Sequence, residues 1–311
     1  MENQATPERS VLTAFGATVL MGGTNFLAVK FSLEELAPIW GAGVRFAAAA
    51  FLFLIVAIVA RKALPSRRAV GGAAIYGLLS FGLAYAFLYV AILDIGAGTT
   101  SVIMAGVPLL TLLLAVAHRQ ERLSLRGMIG GVLAIGGIGV LSLDRIGGDL
   151  PILPLLFAVG GALAAAEATV LLKSFPKADP IIVNGIGMTV GAAALIVTSF
   201  VLSEPKVLPE TAKVWGALIW LVGPGSIGLF VTFLYLVRKW TASASAYSLT
   251  LMPLVAITLG ALFASEVITI QVIGGGLLVV LGVYVGALMG ASRRGRELKP
   301  PLAGEPAGQE S

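Results

Sequence analysis

The chain has 311 residues, of which 58% are hydrophobic, only 12% are charged and 39 are glycine, against about 25% charged and about 7% glycine in soluble domains. It has no cysteine and a single histidine, His118, so disulfides, thiol nucleophiles, iron–sulfur clusters and a histidine-built metal centre are excluded, and neither cofactor nor metal is expected. Lysine plus arginine outnumber aspartate plus glutamate by 21 to 16. The basic residues lie in short breaks between apolar runs and form no continuous face for nucleic acid.

Residues 1–10 (MENQATPERS) lack the basic start of a signal peptide and read as a cytoplasmic tail. A bilayer core takes about 20 apolar residues per helix. Ten such runs follow: 11–31, 38–60, 69–93, 97–117, 125–143, 151–172, 180–202, 213–237, 242–264 and 270–290. Short linkers built around Pro65, Gly147–Gly148 and Pro205 separate some of them. Ser124 and Thr269 stand where helix N-caps belong. Residues 291–311 are polar and proline-rich and read as a disordered cytoplasmic tail. The fold class expected is an all-α integral membrane protein of ten transmembrane helices.

The chain repeats itself. GLLSFGLAYAFLY at 77–89 recurs as GPGSIGLFVTFLY at 223–235, with Gly77, Ser80, Gly82, Leu83, Phe87, Leu88 and Tyr89 preserved. Pro108, Glu121 and Ser124 then correspond to Pro253, Glu266 and Thr269. Two five-span units are expected, at 11–143 and 151–290. With the N-terminus in the cytoplasm, 16 basic residues fall in inward segments and three (Arg145, Lys206, Lys213) in outward ones. Both termini are therefore expected inside the cell membrane. Five is odd, so Glu121 and Glu266 face opposite sides and the units are inverted, a plan recurrent in secondary transporters.

The chain resembles the drug/metabolite transporter superfamily in its ten-helix EamA branch. The resemblance rests on GTNFLAVK at 23–30, Pro38 with Arg45 seven residues on, the run from Ala97 to Pro108, Glu121-Arg122-Leu123 before Gly130-Gly131, and Pro180, Pro253, Glu266 and Gly275-Gly276. It implies a bundle with a central cavity that exports, or less often imports, small polar metabolites. The family commonly has tryptophan where this chain has Gly22, and the second-half equivalent, Ala165, is also small.

Several residues could carry chemistry. Arg45 lies about seven residues into its span, or roughly 10 Å at about 1.5 Å per residue. A charge at that depth faces a cavity or a partner. It either binds an anionic substrate group in fork geometry or locks onto Asp94 or helix-end carbonyls. Lys30 near the end of span 1 contacts substrate or snorkels to the interface, and Asn25 is a cavity-lining candidate. Glu167 is the carboxylate deepest in an apolar run. Burial disfavours its charged form, as a proton-coupling group requires, unless it is tied up by an ion pair such as one with Lys173.

Tyr85, Tyr89, Tyr235 and Tyr247 either wall the substrate path or serve packing. Gly223, Pro224 and Gly225 open a GxGxxG string inside a span with no strand before it. It reads as a kinked or broken helix confined to the second half, because the first copy lacks Pro224. Glu121 and Glu266 shape hairpins or act as gates. Gly282, Gly286 and Gly290 form a small-residue face, for packing within the protomer or for a homodimer.

The sequence-level reading is a lipid-embedded permease for small polar metabolites such as amino acids, working by alternating access, exporting, and coupled to protons through Glu167. The alternatives are a passive facilitator and, more remotely, an intramembrane enzyme, for which HExxH, a second histidine and a serine beside a buried lysine are all lacking.

Overall fold

The computed structural model describes residues 9–91, 103–104, 106–141, 152–264 and 270–288. Among them run ten helices: α1 Arg9–Ser32, α2 Pro38–Val59, α3 Arg67–Ala91, α4 Val107–Ala117, α5 Leu125–Leu141, α6 Ile152–Ser174, α7 Pro180–Val201, α8 Ala212–Lys239, α9 Ala242–Ala264 and α10 Ile270–Val283. No strand occurs among the described residues. Glu266, Gly290, the corner at 94–96 and most of both tails lie outside them. Helices α1, α2, α3, α6, α7 and α8 are 22 to 28 residues long and apolar enough to cross a bilayer. Phe51, Ile58, Val201, Ile219 and Leu277 are each more than 60% exposed on helix surfaces, which suits lipid and would be a liability in water.

Local chemistry sets the helix ends. Pro38 and Pro180 open α2 and α7, where a missing N–H costs nothing. Side chains of Ser66, Ser124, Asp179 and Thr211 accept from the backbone N–H of Ala69, Gly127, Ile181 and Val214, capping α3, α5, α7 and α8. Helices α2 and α7 both close through a left-handed residue, Arg61 (φ 47°) and Ser203 (φ 54°). The next residues fold back: Lys62 N–H donates to Ala57 O and Glu204 N–H to Ser199 O. Lys62 and Glu204 are thus delivered to matching places at opposite ends of the α2/α7 pair.

The repeat has a direct geometric expression. Helices α2 and α7 hold the same place in the two halves and pack antiparallel: Gly43 meets Ile196 near the end of α7, and Phe53 meets Gly185 near its start. Helices α5 and α10 do likewise, with Gly130 against Gly282 and Gly286, and Gly137 against Gly275 and Val279. Helix α1 packs on α8 and α9, as α6 packs on α3 and α4. Equivalent helices that run oppositely make the two halves inverted copies.

One expectation is corrected. Pro224 does not break α8, and the irregularity is not confined to the second half. Both copies widen to i→i+5 turns, at Leu78–Leu83 and at Gly223–Gly228. Both widened turns lie where helices approach closely, and only the second contains a proline. In α3, Gly77 lies on the backbone of Gly187, and Phe81 lies on Gly191. In α8, Gly225 lies on Asn25 and Gly228 on Met21.

Candidate functional site

The main apolar core gathers Phe46, Phe53, Tyr76, Phe81 and Phe230 around the crossing of α2, α3, α7 and α8. Phe46, Phe81 and Phe230 are mutually edge-on or tilted, with centroids 4.6 to 6.3 Å apart. Arg45 rests on this aromatic mass and is 2% exposed. Its guanidinium carbon lies 4.4 Å from the Phe46 ring centroid and 5.3 Å from that of Tyr85, and Nη2 donates to Tyr85 Oη at 3.1 Å. Such stacking tolerates a weakly hydrated guanidinium where an ammonium would fare worse.

Arg45 Nε is buried without a protein partner, and among the described residues Arg45 forms no ion pair. A guanidinium carries five N–H donors, so the protein leaves much of this fork unfilled. Arg45 and Tyr89 line a narrow cleft that also touches Ser32, Pro38 and Gly41 at one end of the bundle. The rings of Tyr85 and Tyr89 are 6.2 Å apart. The structure therefore brings three expected residues together, Arg45, Tyr85 and Tyr89.

Asn25 lies outside the cleft at Arg45. Its Nδ2 donates to Gly225 O at 2.8 Å, satisfying a carbonyl in the widened turn of α8. Its Oδ1 and the neighbouring Ser226 Oγ are buried and unpartnered. Gly225 is needed there, because a Cβ would strike the Asn25 amide. So Gly223, Pro224 and Gly225 open the widened turn, and α1 is hydrogen-bonded to it at Gly225 O.

At the other end of the bundle, rich in basic residues, Glu167 pairs with His118 Nε2 at 3.0 Å. Lys173, the partner considered from sequence, donates to Trp240 O. Glu167 Oε2 has no partner. Gln120, two residues after His118, donates from Nε2 to Val170 O (3.0 Å) and Ser174 Oγ (2.8 Å) of α6. Glu121 accepts from Ala242 N–H (2.9 Å), Ser243 N–H (3.3 Å) and Ser243 Oγ (2.6 Å), capping α9. The segment 118–121 thus fastens the α4–α5 hairpin to both α6 and α9.

The α2/α7 pair is clasped at both ends, with different chemistry. At the basic end Lys62 Nζ meets Asp179 Oδ2 at 2.8 Å. Burial alone would raise the Asp179 carboxyl, but the Lys62 ammonium and the Ile181 N–H more than offset it and hold it below the usual carboxylate range. At the opposite end Glu204 accepts from Ile39 N–H (3.1 Å) and Trp40 N–H (2.8 Å) at the start of α2. Beside it, hydrogen bonds from the Thr211 hydroxyl and the Glu210 N–H hold the Glu35 carboxyl below its ordinary value.

Other expected residues separate from Arg45. Tyr247 is 1% exposed and donates to Gly127 O at 3.0 Å, while Tyr235 reaches Ser10 Oγ at 3.2 Å. Both serve the second core cluster. Lys30 is exposed near the end of α1. Gly282 and Gly286 face Gly130, Ala134 and Tyr247 of the same chain, so this face is used within the protomer. Sequence reasoning missed His118, Glu204 and Asn184. Asn184 is fully buried with both amide atoms unpartnered. Its signal was a lone amide in an apolar run.

Comparison with known proteins agrees with this architecture. An "Uncharacterized transporter" of Archaeoglobus fulgidus is 28% identical over 280 residues, covering 86% of this chain and 95% of the relative. The "Uncharacterized inner membrane transporter YedA" of Escherichia coli K12 is 26% identical over 267 residues, covering 84% and 86%. A "Probable amino-acid metabolite efflux pump" of Salmonella typhimurium is 26% identical over 281 residues, covering 86% and 91%. A crystal structure at 19% identity shares the fold, with a TM-score of 0.77 over 91% of this chain and all of that one. The EamA-like transporter family matches twice, at residues 9–143 and 152–287. With two such repeats, the chain belongs to the EamA-like transporter family and is a multi-pass membrane transporter.

Proposed function

We propose that this transporter moves small carboxylate-bearing metabolites, amino acids or close relatives, outward across the cell membrane by alternating access of its two inverted halves. The observation that carries the reading is Arg45, a buried guanidinium held on aromatic rings with donors the protein leaves unfilled. A carboxylate fits such a fork in bidentate geometry. Its second-half equivalent is Gly187, so the charge is not required by the fold. The efflux-pump name of the Salmonella relative supports the same substrate class and direction.

Glu167 with His118 is the proton-coupling pair, at the cytoplasmic end where segment 118–121 fastens α6 and α9. Gain or loss of a proton there loosens or tightens that end while substrate binds nearer the other. Both termini are cytoplasmic in this scheme, as the bias of basic residues favours.

The test is metabolite profiling of medium from cells that lack the protein, overproduce it, or overproduce Arg45→Ala. Carboxylate-bearing metabolites should accumulate outside only with the parent protein. Equal accumulation with Arg45→Ala removes the anion-binding role.

A further inference from the structure

We infer that the cleft at the basic end of the bundle, walled by Lys173, Lys177 and Arg238, is an anion-collecting vestibule of the transport path; this rests on the transport reading above. It would gather an anionic, partly apolar solute from the cytoplasm before that solute reaches Arg45.

The cleft is lined from α3, α6, the segment after α6, α7 and α8. The inverted repeat turns these into α8, α1, the segment after α1, α2 and α3, which line the Arg45 cleft. Leu172 stands where Val29 stands in the first cleft, and Val183 where Gly41 stands. The two clefts occupy equivalent places in the two halves, related by the same inversion as the helices, as the two mouths of one path would be.

Three cations line the cleft, and the carboxylate acting on Arg238, Asp179, is already bonded to Lys62 and to the Ile181 N–H. Arg238 donates to Ala178 O, which anchors the guanidinium at the wall with further N–H donors on its fork. A cleft of one sign with low-dielectric walls focuses the field and concentrates the opposite ion. Ala69, Ala73, Val183 and Val237 supply the apolar walls that an organic anion needs and a bare inorganic ion does not. The Arg45 mouth carries one buried arginine, so the path is basic at its intake and sparing at its far end.

The chain has no cysteine, so one reporter thiol reads the local potential. Leu172→Cys is placed in the cleft and Leu208→Cys, exposed at the opposite end, serves as reference. The full chain is set in phosphatidylcholine nanodiscs and treated with anionic or cationic methanethiosulfonates. The anionic-to-cationic rate ratio at Leu172→Cys should exceed the reference by about tenfold, the low end of electrostatic focusing in charged clefts. Adding Lys177→Gln or Arg238→Gln should each lower it several-fold; Lys177 is exposed, so its variant leaves the fold intact. Benzoate, the probe anion, should slow modification.

Equal ratios at the two sites, or no protection by benzoate, overturn the vestibule. Protection that appears only when phosphatidylglycerol is added overturns it in favour of a lipid headgroup site. An absence of substrate counterflow by the parent chain would instead sink the transport reading while leaving these ratios as they are, so the two failures are told apart.

Discussion

Lys62 Nζ lies 2.8 Å from Asp179 Oδ2, and this one ion pair joins the turn that follows α2 to the N-cap of α7. Its side chains are 34% and 29% exposed, so the pair itself contributes about 0.5 kcal/mol after solvent screening. Asp179 also caps α7. Asp179→Asn keeps the cap and should cost under about 1 kcal/mol, whereas Asp179→Ala loses cap and pair and should cost about 1–2 kcal/mol.

The same pair sets a pH dependence. The folded-state carboxyl of Asp179 titrates below its ordinary value, so its stabilisation is complete above the unfolded value, about 3.9, and is lost as pH falls through the folded one. The Tm gap between the parent and Asp179→Asn should be constant above about pH 5 and shrink below about pH 4. Thermal melts in detergent across that range check it, and a gap that widens on acidification contradicts the assignment.

Glu204 does the corresponding work at the other end of α2. Its two oxygens take the N–H groups of Ile39 and Trp40, donors with no intrahelical partner at a helix start. Glu204→Ala should lower stability by about 1–2 kcal/mol, and Glu204→Gln by about half as much, since one amide oxygen still accepts. A denaturation series in mild detergent measures the order.

Asn25→Ala leaves Gly225 O without its side-chain donor and should cost about 1–3 kcal/mol. Gly225→Ala drives a methyl into the Asn25 amide and should be worse than a routine glycine-to-alanine change. The double variant Asn25→Ala with Gly225→Ala should recover part of the loss, because the clash is gone. A double-mutant cycle on Tm settles whether the two residues are coupled.

Glu167→Gln keeps a hydrogen-bonding side chain opposite His118 but removes the carboxyl on which the proposed coupling rests. Transport in proteoliposomes should lose its pH dependence while binding persists. Unchanged pH dependence would place coupling elsewhere.

The sequence carried the architecture because a repeat preserves packing. The shared Gly77/Gly223 and Gly82/Gly228 pairs mark the widened turns of α3 and α8. It misled where Pro224 appeared to confine the irregularity to the second half, since Leu78–Leu83 widens without a proline. Arg45, Tyr85 and Tyr89 were legible as charge and hydroxyl out of place in apolar runs. The Glu167 partner was not, because His118 lies 49 residues away in sequence and only tertiary packing joins α4 to α6. Tyr247 and Tyr235 looked like path residues, but a tyrosine hydroxyl that finds Gly127 O or Ser10 Oγ has the same sequence signature as one that faces a solute.

Counterflow tests the central claim most directly. Proteoliposomes holding the parent chain are loaded with an unlabelled amino-acid mixture, and uptake of the same mixture in labelled form is followed. A carrier that binds carboxylates at Arg45 predicts uptake accelerated by the internal load, and loss of that acceleration in Arg45→Ala while Tyr247→Phe, altered at the packing residue, retains it. Uptake indifferent to the internal load, or Arg45→Ala behaving as the parent does, would contradict the account.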